Sequence, residues 1–121
     1  MDLSRHISVF SPDNVKHPIH IIGVGATGSF VAMMMARMGC PVLNIYDFDD
    51  VEIHNIPNQY YDTEDLGKLK AEALAEKLKA INPNIVVNVN IGAVLPVHDD
   101  EHKGIDEMSG YVFLLVDSMK I

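Results

Sequence analysis

Tryptophan is absent from this chain, cysteine occurs once, and basic residues are scarce, nine Lys and Arg against seventeen Asp and Glu. The lone Cys40 cannot close an internal disulfide, so no covalent staple supports the core. A net charge of −8 excludes the clustered cations with which proteins grip a nucleic-acid backbone irrespective of sequence, and no nucleic-acid partner is expected. No apolar run approaches the roughly 18 residues of a membrane-spanning helix, and the first residues lack a basic-then-apolar leader, so no membrane partner is expected and the cytoplasm is the expected location. What is present is a 48% hydrophobic sequence of 121 residues, enough for one domain with a real core.

Residues 19–24 are apolar apart from His20 and run into three glycines spaced G-x-G-x-x-G, namely Gly23, Gly25 and Gly28, the pattern of a strand followed by a tight turn. Residues 27–38 carry almost no polar side chain besides Ser29 and Arg37 and stop at Gly39, with Pro41 beyond; this predicts a helix buried on most sides. Residues 42–46 predict a second strand, and residues 47–61, with Pro57 and three amides, a long polar loop. Thr63 is the expected cap of a second helix, with Glu64 and Asp65 in its first turn, Lys70 one turn in, and Ala71, Leu74, Ala75, Leu78 and Ile81 along one face. Asn82-Pro83 ends it. Residues 85–91 alternate apolar and polar, as an edge strand with one wetter face does. Residues 96–110 read as an acidic loop, and residues 111–116, apolar without alternation, as a strand covered on both faces and closed by Asp117.

This succession predicts an α/β fold, a doubly wound, Rossmann-like parallel sheet of strand order 3-2-1-4 with right-handed crossovers, spanning residues 18–121 after an N-terminal arm of residues 1–17. Parallel strands point one way, so the glycine loop, Asp47 and Asp117 emerge together at the carboxyl edge, where such sheets bind ligands. There Gly23 permits the turn, Gly25 lets the backbone approach a phosphate, and Gly28 lets helix and strand pack closely. Asp47 follows Gly28 by nineteen residues, the spacing of an acid that bonds a ribose hydroxyl in NAD or ATP. Asp49 is the next candidate in a run where Asp50 reads as solvated. The amides of Asn55, Asn58 and Gln59 either donate to phosphate oxygens or form ordinary turns around Pro57.

Asp117, an acid closing a buried strand, points to Mg²⁺ or ribose. Cys40 enters the second strand at the opposite edge and reads as structural. His98 and His102 have helical spacing around an acidic run but no third ligand of fixed geometry, and read as a solvated loop. Met33, Met34, Met35 and Met38 read as core or as a contact with a second subunit.

Taken in order, the glycine loop, the run Asp47-x-Asp49-x-Val51-Glu52-x-x-Asn55-x-x-x-Gln59, then Asp65-x-Gly67-x-x-Lys70, Asn82-Pro83 and the strand ending in Asp117 resemble the ThiF/MoeB/HesA family, the adenylating enzymes related to ubiquitin-activating enzyme. The resemblance implies that Asp47 holds the ribose of ATP, that Asn55 and Lys70 contact the triphosphate, and that Asp117 binds Mg²⁺ or lies beside it. It further implies attack by the C-terminal carboxylate of a ubiquitin-like or sulfur-carrier protein on the α-phosphate, giving an acyl-adenylate and pyrophosphate, and a homodimeric protein. Such chemistry depends on positioning and charge neutralisation rather than a protein nucleophile.

Two departures stand out. The family pattern has arginine immediately before the glutamine, where this chain has Asn58. The chain also stops four residues after Asp117, without later strands, a substrate-docking region or a cysteine set for zinc or thioester chemistry, and is expected to be the N-terminal portion of a longer protein. The competing readings are an NAD-binding Rossmann domain, which leaves Asn55, Gln59 and Lys70 without a role, and a noncatalytic relative that serves as a dimerisation or partner-binding module.

Overall fold

In a computed structural model that describes residues 18–92, 94–95, 103–104 and 110–115, the chain alternates strand and helix as its patterning requires. The elements are β1 (Ile19–Ile22), α1 (Ala26–Arg37), β2 (Val42–Tyr46), α2 (Lys70–Ile81), β3 (Val86–Asn90), β4 (Val94–Leu95), β5 (Lys103–Gly104) and β6 (Tyr111–Leu114). The main sheet is parallel throughout in the order β3-β2-β1-β6, the 3-2-1-4 arrangement expected. The sequence reading did not foresee β4 and β5, a short parallel pair; β5 falls within residues 96–110, which read as a loop.

Alternation along the strands assigns the faces. Ile21, Leu43 and Ile45 pack with Ala32 and Ala36 of α1 and Ala71, Leu74 and Leu78 of α2 in one core, so both helices cover the same face. Full burial of each leucine contributes about 1.5–3 kcal/mol. The other face carries His20, Asn44, Tyr46, Asn88 and Asn90. There Asn88 Nδ2 donates to Asn44 Oδ1 (2.9 Å), Asn44 Nδ2 donates to the Ile19 carbonyl (3.1 Å), and His20 Nδ1 lies 2.8 Å from the Tyr46 hydroxyl. The edge position of β3 and its wetter face agree with its alternation.

Three expectations need correction. The first helix is not buried on most sides: Gly28, Ser29, Ala32 and Ala36 are buried, whereas Phe30 and Met34 are 39% and 56% exposed, and none of the four methionines is buried. Small residues bring α1 close to the sheet, and the bulky ones are left on its other sides. The strand at 111–116 is not covered on both faces; β6 is outermost in the described sheet, and Tyr111 and Leu114 are 58% and 47% exposed. The second helix does not begin at Thr63. A 3-10 turn, Thr63–Asp65, forms there, with the Asp62 N–H donating to Asp65 Oδ2 (2.8 Å), and Gly67 at φ +83° turns the chain before α2 starts at Lys70.

α1 approaches the end of β1 so closely that a Cβ on Gly28 would lie 1.8 Å from the Gly23 carbonyl oxygen, whereas a Cβ on Gly25 would meet only Gln59 Nε2, at 3.6 Å. Gly28→Ala is expected to lower unfolding free energy in urea by about 3 kcal/mol or more, and Gly25→Ala to leave it nearly unchanged. A wild-type urea midpoint for Gly28→Ala would remove the close-packing role.

Candidate functional site

The glycine loop leads into α1 without a side-chain cap, and among the described residues the backbone N–H groups of residues 25–28 donate to nothing. These are the orphan donors of a helix start, where the dipole favours an anion. The rest of the loop is held from outside. The Gly23 N–H, at φ +93°, donates to the Tyr46 carbonyl (2.8 Å), and the Val24 N–H donates to Asp47 Oδ2 (2.9 Å). The Tyr61 hydroxyl donates to the Val24 carbonyl (2.5 Å), and Ser29 Oγ donates to the Gly25 carbonyl (2.5 Å) while accepting from the Tyr60 N–H (3.0 Å).

Asp47 leaves β2 half-buried, and its other oxygen accepts from the Asp49 N–H (2.8 Å). Each carboxylate oxygen has a second lone pair, so acceptor capacity remains for a hydroxyl. Beyond it the chain pairs with the segment that leads into α2. Val51 N–H donates to the Lys68 carbonyl (2.8 Å), Gly67 N–H to the Val51 carbonyl (3.0 Å), and Lys70 N–H to the Asp49 carbonyl (2.9 Å), around an antiparallel bridge of Asp50 with Leu69. Lys70 is therefore the first residue of α2 rather than one turn in, and its side chain leans back toward the helix start at the carboxyl edge of the sheet. The residue is 8% exposed, and its side chain makes no hydrogen bond or ion pair among the described residues. A cation at the positive end of a helix is unfavourable until an anion joins it.

Asn55, which is buried, and Gln59, which is half-buried, differ in their engagement. Asn55 is 4% exposed, closes a 3-10 turn (Ile53–Asn55), and accepts the Glu52 N–H through Oδ1 (2.7 Å). Gln59 lies against Gly25, and its Oε1 is buried with no partner among the described residues, an arrangement that costs roughly 1–3 kcal/mol until a donor arrives. The structure thus brings together Gly23, Gly25, Gly28, Asp47, Asn55, Gln59 and Lys70. Asn58 and the side chain of Asp49 are exposed, although the Asp49 backbone takes part as described. Asp117, His98 and His102 lie outside the described residues, as does the proposed arm of residues 1–17. Among the described residues no cluster of His, Cys, Asp and Glu has the makings of a metal centre, and no helix is long and apolar enough to cross a membrane. Cys40 is buried at the opposite edge, with Sγ donating to the Val42 carbonyl (3.2 Å) and its thiol pKa raised by burial.

Sequence reasoning missed Ser29 and Tyr61. A hydroxyl on the otherwise apolar face of α1 was the available sign for Ser29, since a buried polar group needs a partner. Nothing in the spacing singles out Tyr61, which is 3% exposed and whose hydroxyl is held protonated by burial and by the nearby carboxylates of Asp47 and Asp65.

The ThiF family model matches residues 6–121 of this sequence. The chain belongs to the ThiF family. Among curated relatives, it is 32% identical over 119 residues to the tRNA threonylcarbamoyladenosine dehydratase of Haemophilus influenzae, covering 93% of this chain and 44% of the relative. It is 33% identical over 114 residues to ubiquitin-like modifier-activating enzyme 5 of Dictyostelium discoideum, covering 93% of this chain and 30% of that protein. Among solved structures, the E. coli tRNA N6-threonylcarbamoyladenosine dehydratase TcdA in complex with ATP superposes with a TM-score of 0.79 at 26% identity, covering 96% of this chain and 49% of that one. The chain spans less than half the length of each of these proteins.

Two groups make this ThiF domain sensitive to alkali. Burial and neighbouring carboxylates raise the pKa of Tyr61. Partial burial works against the charge of Lys77, but its bonds to Asp62 (2.5 Å) and Asp65 (3.0 Å) outweigh that effect and raise its pKa as well. Both groups keep their protons to higher pH in the native state than in the unfolded chain, so their stability is fully present below about pH 10 and is lost as pH rises from there. Urea unfolding measured between about pH 8 and 11 is expected to show a decline above about pH 10, with Tyr61 alone contributing up to about 1.4 kcal/mol per pH unit, and Tyr61→Phe is expected to make it shallower. Stability that increases above that point would contradict the assignment.

Proposed function

We propose that this chain is the ATP-binding portion of a ThiF-type adenylyltransferase that activates the C-terminal carboxylate of a ubiquitin-like or sulfur-carrier protein. The observation that carries the reading is Lys70: a buried cation without an anionic partner among the described residues, at the start of α2 and on the sheet edge that also presents the uncapped start of α1. Polyphosphate is the ligand that satisfies all three demands at once.

In this reading the free N–H groups of residues 25–28 take phosphate oxygens, with Gly23, Gly25 and Gly28 keeping the approach open, and Asp47 accepts from a ribose hydroxyl. Asp49 contributes from the loop beside it. Lys70 and Asn55 contact the triphosphate, Gln59 closes over the loop at Gly25, and Asn58 stands where the family pattern has arginine. The acceptor carboxylate attacks the α-phosphorus, a new C–O–P linkage forms, and the bond to the β-phosphate breaks to release pyrophosphate. Lys70 offsets charge as it builds on the phosphate oxygens. Mg²⁺ is assigned to Asp117 by the resemblance alone.

An NAD-binding role makes use of Gly23, Gly25, Gly28 and Asp47 but leaves the charge of Lys70 unexplained. The two curated relatives are named for different acceptors, a tRNA nucleoside and a ubiquitin-like modifier, and the similarity to the dehydratase favours a second reading in which the acceptor is carried on tRNA. The net charge of −8 favours a protein acceptor. Phe30 and Met34, exposed on α1, support a homodimer.

Mg·ATP is expected to raise the melting temperature while NAD does not; a shift with NAD alone would overturn the reading. In the longest form of the protein, Lys70→Ala is expected to reduce ATP–pyrophosphate exchange by about a hundredfold. Exchange at the wild-type rate would remove Lys70 from the site.

A further inference from the structure

We infer that Tyr61, with Ser29, is a positioning residue that fixes the polarity of the glycine loop, holding its carbonyls on protein hydroxyls so that its N–H groups face the phosphates. The inference rests on the adenylation reading, because it supposes that the loop receives a nucleotide.

A peptide loop offers both carbonyls and N–H groups, and a phosphate is attracted by one set and repelled by the other. Glycines leave the backbone free to present either, since they impose little preference on φ and ψ. In this loop the Gly25 carbonyl accepts the Ser29 N–H (3.0 Å) as α1 begins, and side-chain hydroxyls add to that hold. The Val24 carbonyl is taken by the Tyr61 hydroxyl at 2.5 Å and the Gly25 carbonyl by Ser29 Oγ at 2.5 Å, while the N–H groups of residues 25–28 remain without an acceptor among the described residues. Val24 is gripped at both ends, its N–H by Asp47 and its carbonyl by Tyr61, so the peptide planes on either side of it have no freedom to flip. Tyr61 and Tyr60 belong to the loop that carries Asn55 and Gln59, and Ser29 Oγ accepts the Tyr60 N–H at 3.0 Å. The hydroxyls therefore tie the phosphate loop and the amide-bearing loop into one body. Tyr61 and Ser29 are 3% and 0% exposed, which keeps water from competing for these carbonyls.

The test is the Kd for Mg·ATP of wild type, Tyr61→Phe and Ser29→Ala, measured by calorimetry far below each melting midpoint, where all three are fully folded. Tyr61→Phe keeps the ring and removes only the donor; Ser29→Ala provides the same reading should the first variant fail to fold. Each substitution is expected to raise Kd roughly three- to tenfold, the equivalent of one hydrogen bond. A lowered melting point with unchanged Kd in both variants would reduce the two hydroxyls to structural groups and overturn the inference while the adenylation reading stands. Wild-type protein that binds no Mg·ATP overturns that reading, and the inference with it.

Discussion

The contact on which the site depends is between two stretches of backbone, the end of β1 and the start of α1, which approach so closely that a single methyl at Gly28 would collide with the Gly23 oxygen. That approach aims the open end of α1 along the carboxyl edge and places the loop within reach of three hydrogen-bonding side chains from other segments. Asp47 arrives from β2, Ser29 from the first turn of α1 and Tyr61 from the polar loop. If the helix were displaced outward, the bond from the Tyr60 N–H to Ser29 Oγ, which crosses from the polar loop to α1, would lengthen. The small residues at 28, 32 and 36 are one device: the spacing of four lets α1 lie against the sheet along its whole length, and the same choice leaves Phe30 and Met34 facing outward.

Electrostatically the edge is lopsided in a protein whose net charge is −8. Two helix starts and the largely buried Lys70 lie there, while three of the nearby carboxylates are engaged otherwise. Asp47 accepts two backbone donors, and Asp62 and Asp65 are engaged by Lys77, which also lies 5.6 Å from the centre of the Tyr60 ring. Acids that would repel a polyphosphate are thereby given local partners. An acidic chain and a locally cationic edge coexist because the relevant distances are a few ångströms, well inside the screening length of the surrounding salt.

Most of the frame was legible in the chain itself. The strand order, the turn at Gly23, the close packing at Gly28 and the meeting of the glycine loop with Asp47 follow from periodicity, turn chemistry and the single direction of parallel strands, whereas Lys70 was singled out by the ThiF resemblance, which rested on motifs in register. What escaped was whatever depends on distance rather than pattern. An apolar helix does not reveal which side is buried when the contact is made by its smallest residues, so its pattern did not show that Met34 lies exposed while Met35 packs against the core. Thr63 has the chemistry of a cap, but Gly67 in a left-handed turn and the bridge at Leu69 break the helix before it can extend, and helix propensity yields to that tertiary pairing. Tyr61 bonds a carbonyl thirty-seven positions away, and no local rule announces such a partner.

The pairing of Val51 with Gly67 and Lys68 closes a neck, and everything between is a cassette whose two ends are tied together. Lys70 takes its place from the neck and not from the length of chain looped out beyond it. Closing a somewhat longer loop costs little additional entropy, since each doubling of length adds only about 0.6 kcal/mol. An insertion within the cassette therefore leaves the start of α2 anchored at the neck, whereas one added residue between Lys68 and Lys70 would break the register of that pairing and turn the Lys70 side chain by roughly 100° about the helix axis.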